Sequence, residues 1–205
     1  MATLGCLVFF SCSICADAQN LSLVLACAEN LSVPEGRVVS TLCAKGNSYR
    51  ITYERKLTQI VLMAGKRKTI LQKIPAQYDP ALVGSEVFIG FLPEPLQPYK
   101  KQDVLIYVSA MRSNGGGGGG QCGAGSEIHL NFLDIGGKVP KTKSRILVGS
   151  CMDSIEILDQ NMSAGVMGDI SVDGNNLSLH FLNYRNLEGS PVAKVAPDFT
   201  RLFFE

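Results

Sequence analysis

Apolar and polar residues alternate with a period of two through most of this chain, the pattern of strands with one face buried and the other wet. Leu21, Leu23 and Leu25 alternate with Ser22, Val24 and Ala26, and residues 49–55 alternate aromatic or aliphatic with polar side chains. Both stretches are expected to be half-buried strands. Segments 59–63 and 69–74 flank Ala64-Gly65-Lys66-Arg67-Lys68, where a glycine and three cations predict a solvated hairpin tip. Further strands are expected over 86–92, 104–111, 127–135, 145–151 and 154–158. The sharpest local signal is at 169–182: Asp169-Ile-Ser-Val-Asp173 alternates, Gly174-Asn175 tolerates positive φ, and 176–182 alternates back. The chain is expected to close with that hairpin.

Helix signals are scarce. Asp79 and Pro80 supply the start of one short turn over 79–83. The expected fold is therefore mainly β: an antiparallel sandwich or barrel-like sheet of about ten or more short strands, stabilised by disulfides, with little helix. Two segments break the spacing. Pro93, Pro95 and Pro98 fix an extended connector over 92–98, the place for a sub-boundary within one domain of residues 19–205. The second is Ser113-Asn114, the glycine run from Gly115 to Gly120, and Gln121-Cys122, a loop with almost no conformational preference of its own.

The first residues change the picture of where such a domain works. Residues 4–16 are almost wholly uncharged and apolar and end in Ala16-Asp17-Ala18, the small-x-small pattern of signal peptidase cleavage. Residues 1–18 are read as an export signal cut before Gln19. Its start carries no Lys or Arg. Neither Cys12 nor Cys27 follows the small-residue pattern of a lipidated cysteine. Removing the signal takes away Cys6, Cys12 and Cys15 and leaves Cys27, Cys43, Cys122 and Cys151. An even count in an exported chain points to disulfides and to a periplasmic or extracellular destination. The pairing expected is Cys27 with Cys43 and Cys122 with Cys151, since each would join neighbouring segments and stabilise by roughly 3 kcal/mol on the chain-entropy model.

Composition narrows the partners. Hydrophobic residues make up 46%, charged residues 18%, and the formal net charge is +1. No long-range field recruits nucleic acid, and after the signal no apolar run approaches the roughly 18 residues that would span a bilayer as a helix. Four Asn-x-Ser sequons occur, at Asn20, Asn30, Asn161 and Asn176; they mark surface asparagines only in a eukaryotic secretory pathway.

Candidate chemistry is thin. The glycine loop lacks the following Lys-Ser/Thr of a phosphate loop and precedes a strand, so no nucleotide or other cofactor is expected. Asp169, Ser171 and Asp173 open like a calcium loop, but its eighth and twelfth places hold Asn176 and His180. The four cysteines have no zinc spacing, and no metal is expected. His129 and His180, the two histidines, fall on the polar sides of their strands. A thiol enzyme would set Cys122 or Cys151 against His129, which the even cysteine count opposes. Gly149-Ser150-Cys151-Met152 lacks the second glycine of a nucleophile elbow.

The reading is accordingly an exported, non-enzymatic β protein that acts through protein contacts, an inhibitor or immunity protein against a toxin or hydrolase being its most concrete form. The interaction loop would be Asn114, Gly115, Gly120 and Gln121. The alternative is a hydrolase whose site assembles only in the fold, from His129 or His180 with Asp153, Asp169 or Glu127. A third reading, an envelope-assembly component, would use Leu202, Phe203 and Phe204 as an unpaired edge.

Overall fold

The computed structural model describes residues 37–44, 47–54, 57–74, 88–92, 96–98, 102–112, 126–158, 169–173, 176–187 and 189–204. Residues 33–205 form one compact unit. Thirteen antiparallel strands account for most of the described residues, with almost no helix.

The first four make a meander: β1 (Arg37–Ala44), β2 (Asn47–Glu54), β3 (Leu57–Ala64) and β4 (Arg67–Ile74), in sheet order β1-β2-β3-β4. Gly65 has φ +59 at the β3–β4 turn, a conformation glycine adopts without the usual Cβ penalty. The cations around it are exposed, as the spacing predicts.

The remaining strands are β5 (Phe88–Phe91), β6 (Val104–Arg112), β7 (Ser126–Asp134), β8 (Lys141–Ser150), β9 (Ile155–Ile157), β10 (Ile170–Asp173), β11 (Asn176–Tyr184), β12 (Val192–Val195) and β13 (Leu202–Phe204). They form one continuous sheet ordered β13-β12-β11-β9-β8-β7-β6-β5, with β10 also paired to β11. β8 and β9 share a single residue pair, Ser150 with Ile155, and the sheet folds back there. Val104, Ile106, Val108, Leu130, Phe132, Ile146 and Val148 from β6–β8 then share one core with Ile170, Leu179, Phe181, Ala193 and Val195 from β10–β12. The opposite face of β5–β7 presents Ile89, Phe91, Leu105, Tyr107 and Leu133 to Leu42, Tyr49, Ile51, Ile60 and Ile74 of the meander.

Three sheets are thus stacked, with β5–β8 in the middle. That layering explains why β6 does not alternate. Every residue from Val104 to Ala110 is buried, because both faces of the strand meet a core. Gln97 completes the layer. Its amide nitrogen donates to the carbonyls of Leu92 (2.8 Å) and Ile106 (2.7 Å), and its oxygen accepts from the Ile106 amide (2.8 Å). One side chain does the work of the strand that β5 no longer supplies.

Two strands follow the hairpin expected to close the chain. The loop between them is pinned on the middle sheet: Phe199, with φ +63, stacks on Phe132 at 5.0 Å, and the Ser144 hydroxyl donates to its carbonyl. β13 is an edge strand, with Phe203 39% exposed. β1 is a further strand that the alternation did not mark. The turn expected at 79–83, the strand expected at 21–25 and the glycine loop, with Asn114, Gly115, Gly120 and Gln121, lie outside the described residues.

Candidate functional site

The sequence candidates that the fold brings together lie on the face of the middle sheet that looks toward the meander. Strand parity puts Glu127, His129, Asn131 and Leu133 of β7 on that face. The register sets Ser109 and Leu147 beside His129, Tyr107 and Arg145 beside Asn131, and Ser150 beside Glu127. The face is apolar at the Leu133 end and polar at the Glu127 end.

Each polar group is held by a neighbour. Asn131 is buried and donates through its amide to Ser109 Oγ (2.8 Å), the His129 carbonyl (3.2 Å) and the Tyr107 carbonyl (3.3 Å). The Tyr107 hydroxyl donates to Gln72 Oε1 (3.4 Å), and Gln72 Nε2 donates to Thr142 Oγ1 (3.1 Å), which ties β4 to β8. The Ser150 hydroxyl, itself buried, donates to Glu127 Oε1 (2.8 Å) and accepts from the Asp153 amide (3.1 Å). Asp153 is 3.8 Å from Arg185 in an exposed ion pair.

His129 is half-buried, with the Arg145 side chain against its ring. Arg145 Nη2 lies 3.0 Å from His129 Nδ1. A guanidinium only donates, so Nδ1 is the acceptor and the ring proton of the neutral form sits on Nε2. Burial and, second, the Arg145 charge lower the His129 pKa to about 4, against a smaller opposing hydrogen bond at the Glu127 backbone. At neutral pH the ring is uncharged, its one lone pair already used. This is a poor general base.

The other candidates are elsewhere. His180 is exposed on the outer face of β11, opposite the core-facing Leu179 and Phe181, and Asp169 is buried at the start of the β10–β11 hairpin. Neither joins the cluster on the middle sheet. Cys43 lies in β1 and Cys151 in the exposed turn that follows β8. Cys27 and Cys122 lie outside the described residues. Among the described residues no group of three His, Cys, Asp or Glu side chains could hold a metal ion, and no helix is long and apolar enough to cross a membrane.

Sequence reasoning passed over Asn131, Arg145, Ser109 and Arg50. Ser109, Asn131 and Arg50 are each a polar residue flanked by apolar ones inside a strand, and that was the signal available. Comparison with known proteins adds nothing to this geometry: no family model, curated protein or solved structure gives a significant match.

Proposed function

We propose that this chain is an exported, non-enzymatic β protein that works through protein contacts in the periplasm or outside the cell, in its most concrete form as an inhibitor or immunity protein that blocks a toxin or a hydrolase. The observation that supports this reading is that the groups suited to catalysis are committed to structure. Ser150 is bonded to Glu127, and the His129 lone pair is held by Arg145. A layered β scaffold whose sequence carries a glycine-rich segment with Asn114, Gly115, Gly120 and Gln121 suits recognition better than turnover. Disulfides Cys27–Cys43 and Cys122–Cys151 belong to the same proposal. They are tested by counting thiols in protein recovered from the oxidising compartment and mapping the bridges by mass spectrometry.

The decisive experiment is capture. Tagged protein incubated with the periplasmic or secreted fraction of its source should retain one protein in stoichiometric amount, and adding the purified chain should abolish that protein's toxic or hydrolytic activity. Repeated recovery of no such protein, or capture without loss of activity, would overturn the reading.

A second reading has one observation in its favour: Glu127, His129 and Ser150 do share a face of the middle sheet. A hydrolase built there would have to lose activity in His129→Ala. Hydrolysis of a substrate panel with no change in that variant removes the histidine-based site.

A further inference from the structure

The nine-stranded sheet ends at β13, and among the described residues no strand lies on its far side. An edge of this kind invites pairing with another chain unless charge, proline or a covering element blunts it. Two other edges are blunted in that way. β4 carries Arg67, Lys68 and Lys73, and β1 meets β5, where the Ser40 hydroxyl accepts from the Phe91 amide (3.1 Å). β13 reads Leu202-Phe203-Phe204, with no charge inside it.

Which backbone groups face the open side follows from the ladder. β12 and β13 are antiparallel, with Val195 opposite Leu202, Lys194 opposite Phe203 and Ala193 opposite Phe204. The Arg201 carbonyl accepts from the Ala196 amide (2.9 Å), so Arg201 faces β12; alternation along the strand then turns Phe203 toward β12 and Leu202 and Phe204 away from it. The open side thus presents the N–H and C=O of Leu202 and Phe204. The side chains divide between the two faces of the sheet. Leu202 and Phe204 lie on the core side, where the Phe204 ring meets Tyr184 at 4.4 Å and Phe181 at 6.1 Å, yet both are only partly buried. Phe203 lies on the outer face with Arg201, and both are exposed. Core apolar surface therefore reaches the open edge without being closed over.

We propose that β13 pairs with β13 of a second copy of this chain, antiparallel about a two-fold axis at Phe203. The occupant follows from the self-complementarity of Arg201-Leu-Phe-Phe-Glu205. With Phe203 opposite Phe203 of the partner subunit, Leu202 falls opposite Phe204 of the partner subunit and Arg201 opposite Glu205 of the partner subunit, and symmetry repeats each pair. Leu202 and Phe204 then form the hydrogen-bonded pairs, which uses every open N–H and C=O of both residues. Phe203 meets its equivalent at the closer, non-bonded spacing of about 4.5 Å between Cα atoms. The neighbouring registers of the same bonding parity set Arg201 or Glu205 opposite Phe203 and lose the ion pairs. Charge and bonding parity thus agree at one register, which singles out a second copy over an unrelated strand. The contact stands apart from the inhibitor reading, and either can fail without the other.

An edge contact this small makes a weak dimer that forms only at high concentration. Sedimentation of the full chain over a rising concentration series tests it. The expected result is a sedimentation coefficient that climbs toward that of a dimer. Arg201→Glu, which sets like charges opposite each other at both ends of the contact, should weaken association about tenfold. Arg201→Glu combined with Glu205→Arg should restore it. Phe203→Lys, at an exposed position, should abolish it. The proposal is overturned by a chain that stays monomeric throughout, by a dimer that Arg201→Glu or Phe203→Lys leaves unchanged, or by a double exchange that restores nothing. Should Arg201→Glu fail to fold, Glu205→Arg alone sets arginines opposite each other and carries the same expectation.

Discussion

At the scale of single residues the most informative side chain is His129, because its surroundings decide between catalysis and structure. Its pKa falls to about 4 from the ordinary 6.5, first through burial and then through Arg145. The sign of the pH effect follows. Between those two values the unfolded chain binds a proton at this ring and the folded chain does not, so stability rises with pH across that window. The contribution is fully present above about pH 6.5 and is lost as pH falls toward 4. Denaturant midpoints measured from pH 4 to pH 7 should therefore rise with pH in the native chain and rise less steeply in His129→Gln. Parallel curves for the two would show that the ring is not held as described. The same bond explains why the ring serves badly as a base: with Arg145 donating to Nδ1, protonation must displace a cation and then add a second positive charge beside it.

At the scale of the elements, Gln97 carries more than its surroundings in the sequence suggest. The three prolines around it predict a stiff connector, and the segment does leave β5 for β6. The amide of Gln97 also stands in for a strand, meeting the Ile106 amide and the Leu92 carbonyl inside the core. Gln97→Met keeps length and volume but leaves those two backbone groups unmet. It should lower the unfolding free energy by about 3 kcal/mol, the scale of two buried orphan groups. Chemical denaturation of the two proteins checks this, and a loss well under 1 kcal/mol would mean that water replaces the amide. The β class and the β3–β4 and β10–β11 hairpins were legible in the sequence because period-two alternation and Gly65 or Gly174 mark them locally. What escaped was whatever depends on a distant partner. The first half of β8, Lys141-Thr-Lys-Ser144, has no apolar residue and is a strand because β7 pairs with it. β12 is four residues long and is defined by β11 and β13. Asn131 reads as lying on the polar side of its strand with His129 and is buried, as is Ser109 beside it, since alternation reports two faces but not whether a second sheet covers the polar one. Arg50 was legible only as a polar position in an alternating strand.

At the scale of the molecule, the stacking of three sheets sets a gradient of local stability. β6 and β7 are covered on both faces and paired on both edges, and β6 draws contacts from both cores. Among the described residues β4 has only β3 beside it, with residues 67–70 exposed on both faces, and β13 has only β12. An amide exchanges with solvent through the cheapest opening that frees it, so a strand exposed at an edge opens without disturbing the core whereas β6 must wait for the whole stack to part. Native-state hydrogen exchange should find the slowest amides in Leu105–Val108 and Leu130–Phe132, exchanging only with global unfolding. Those of β4 and β13 should exchange through smaller, denaturant-insensitive openings. Equal protection in β4 and β6 would mean that the meander and the middle sheet open as one body, and the outer face carrying Arg50 would then be as rigid as the core. A lower protection in β4 would mean that the two open separately. The core-facing side of the meander, with Leu42, Tyr49 and Ile60, would then hold the fold together while the β4 edge opened.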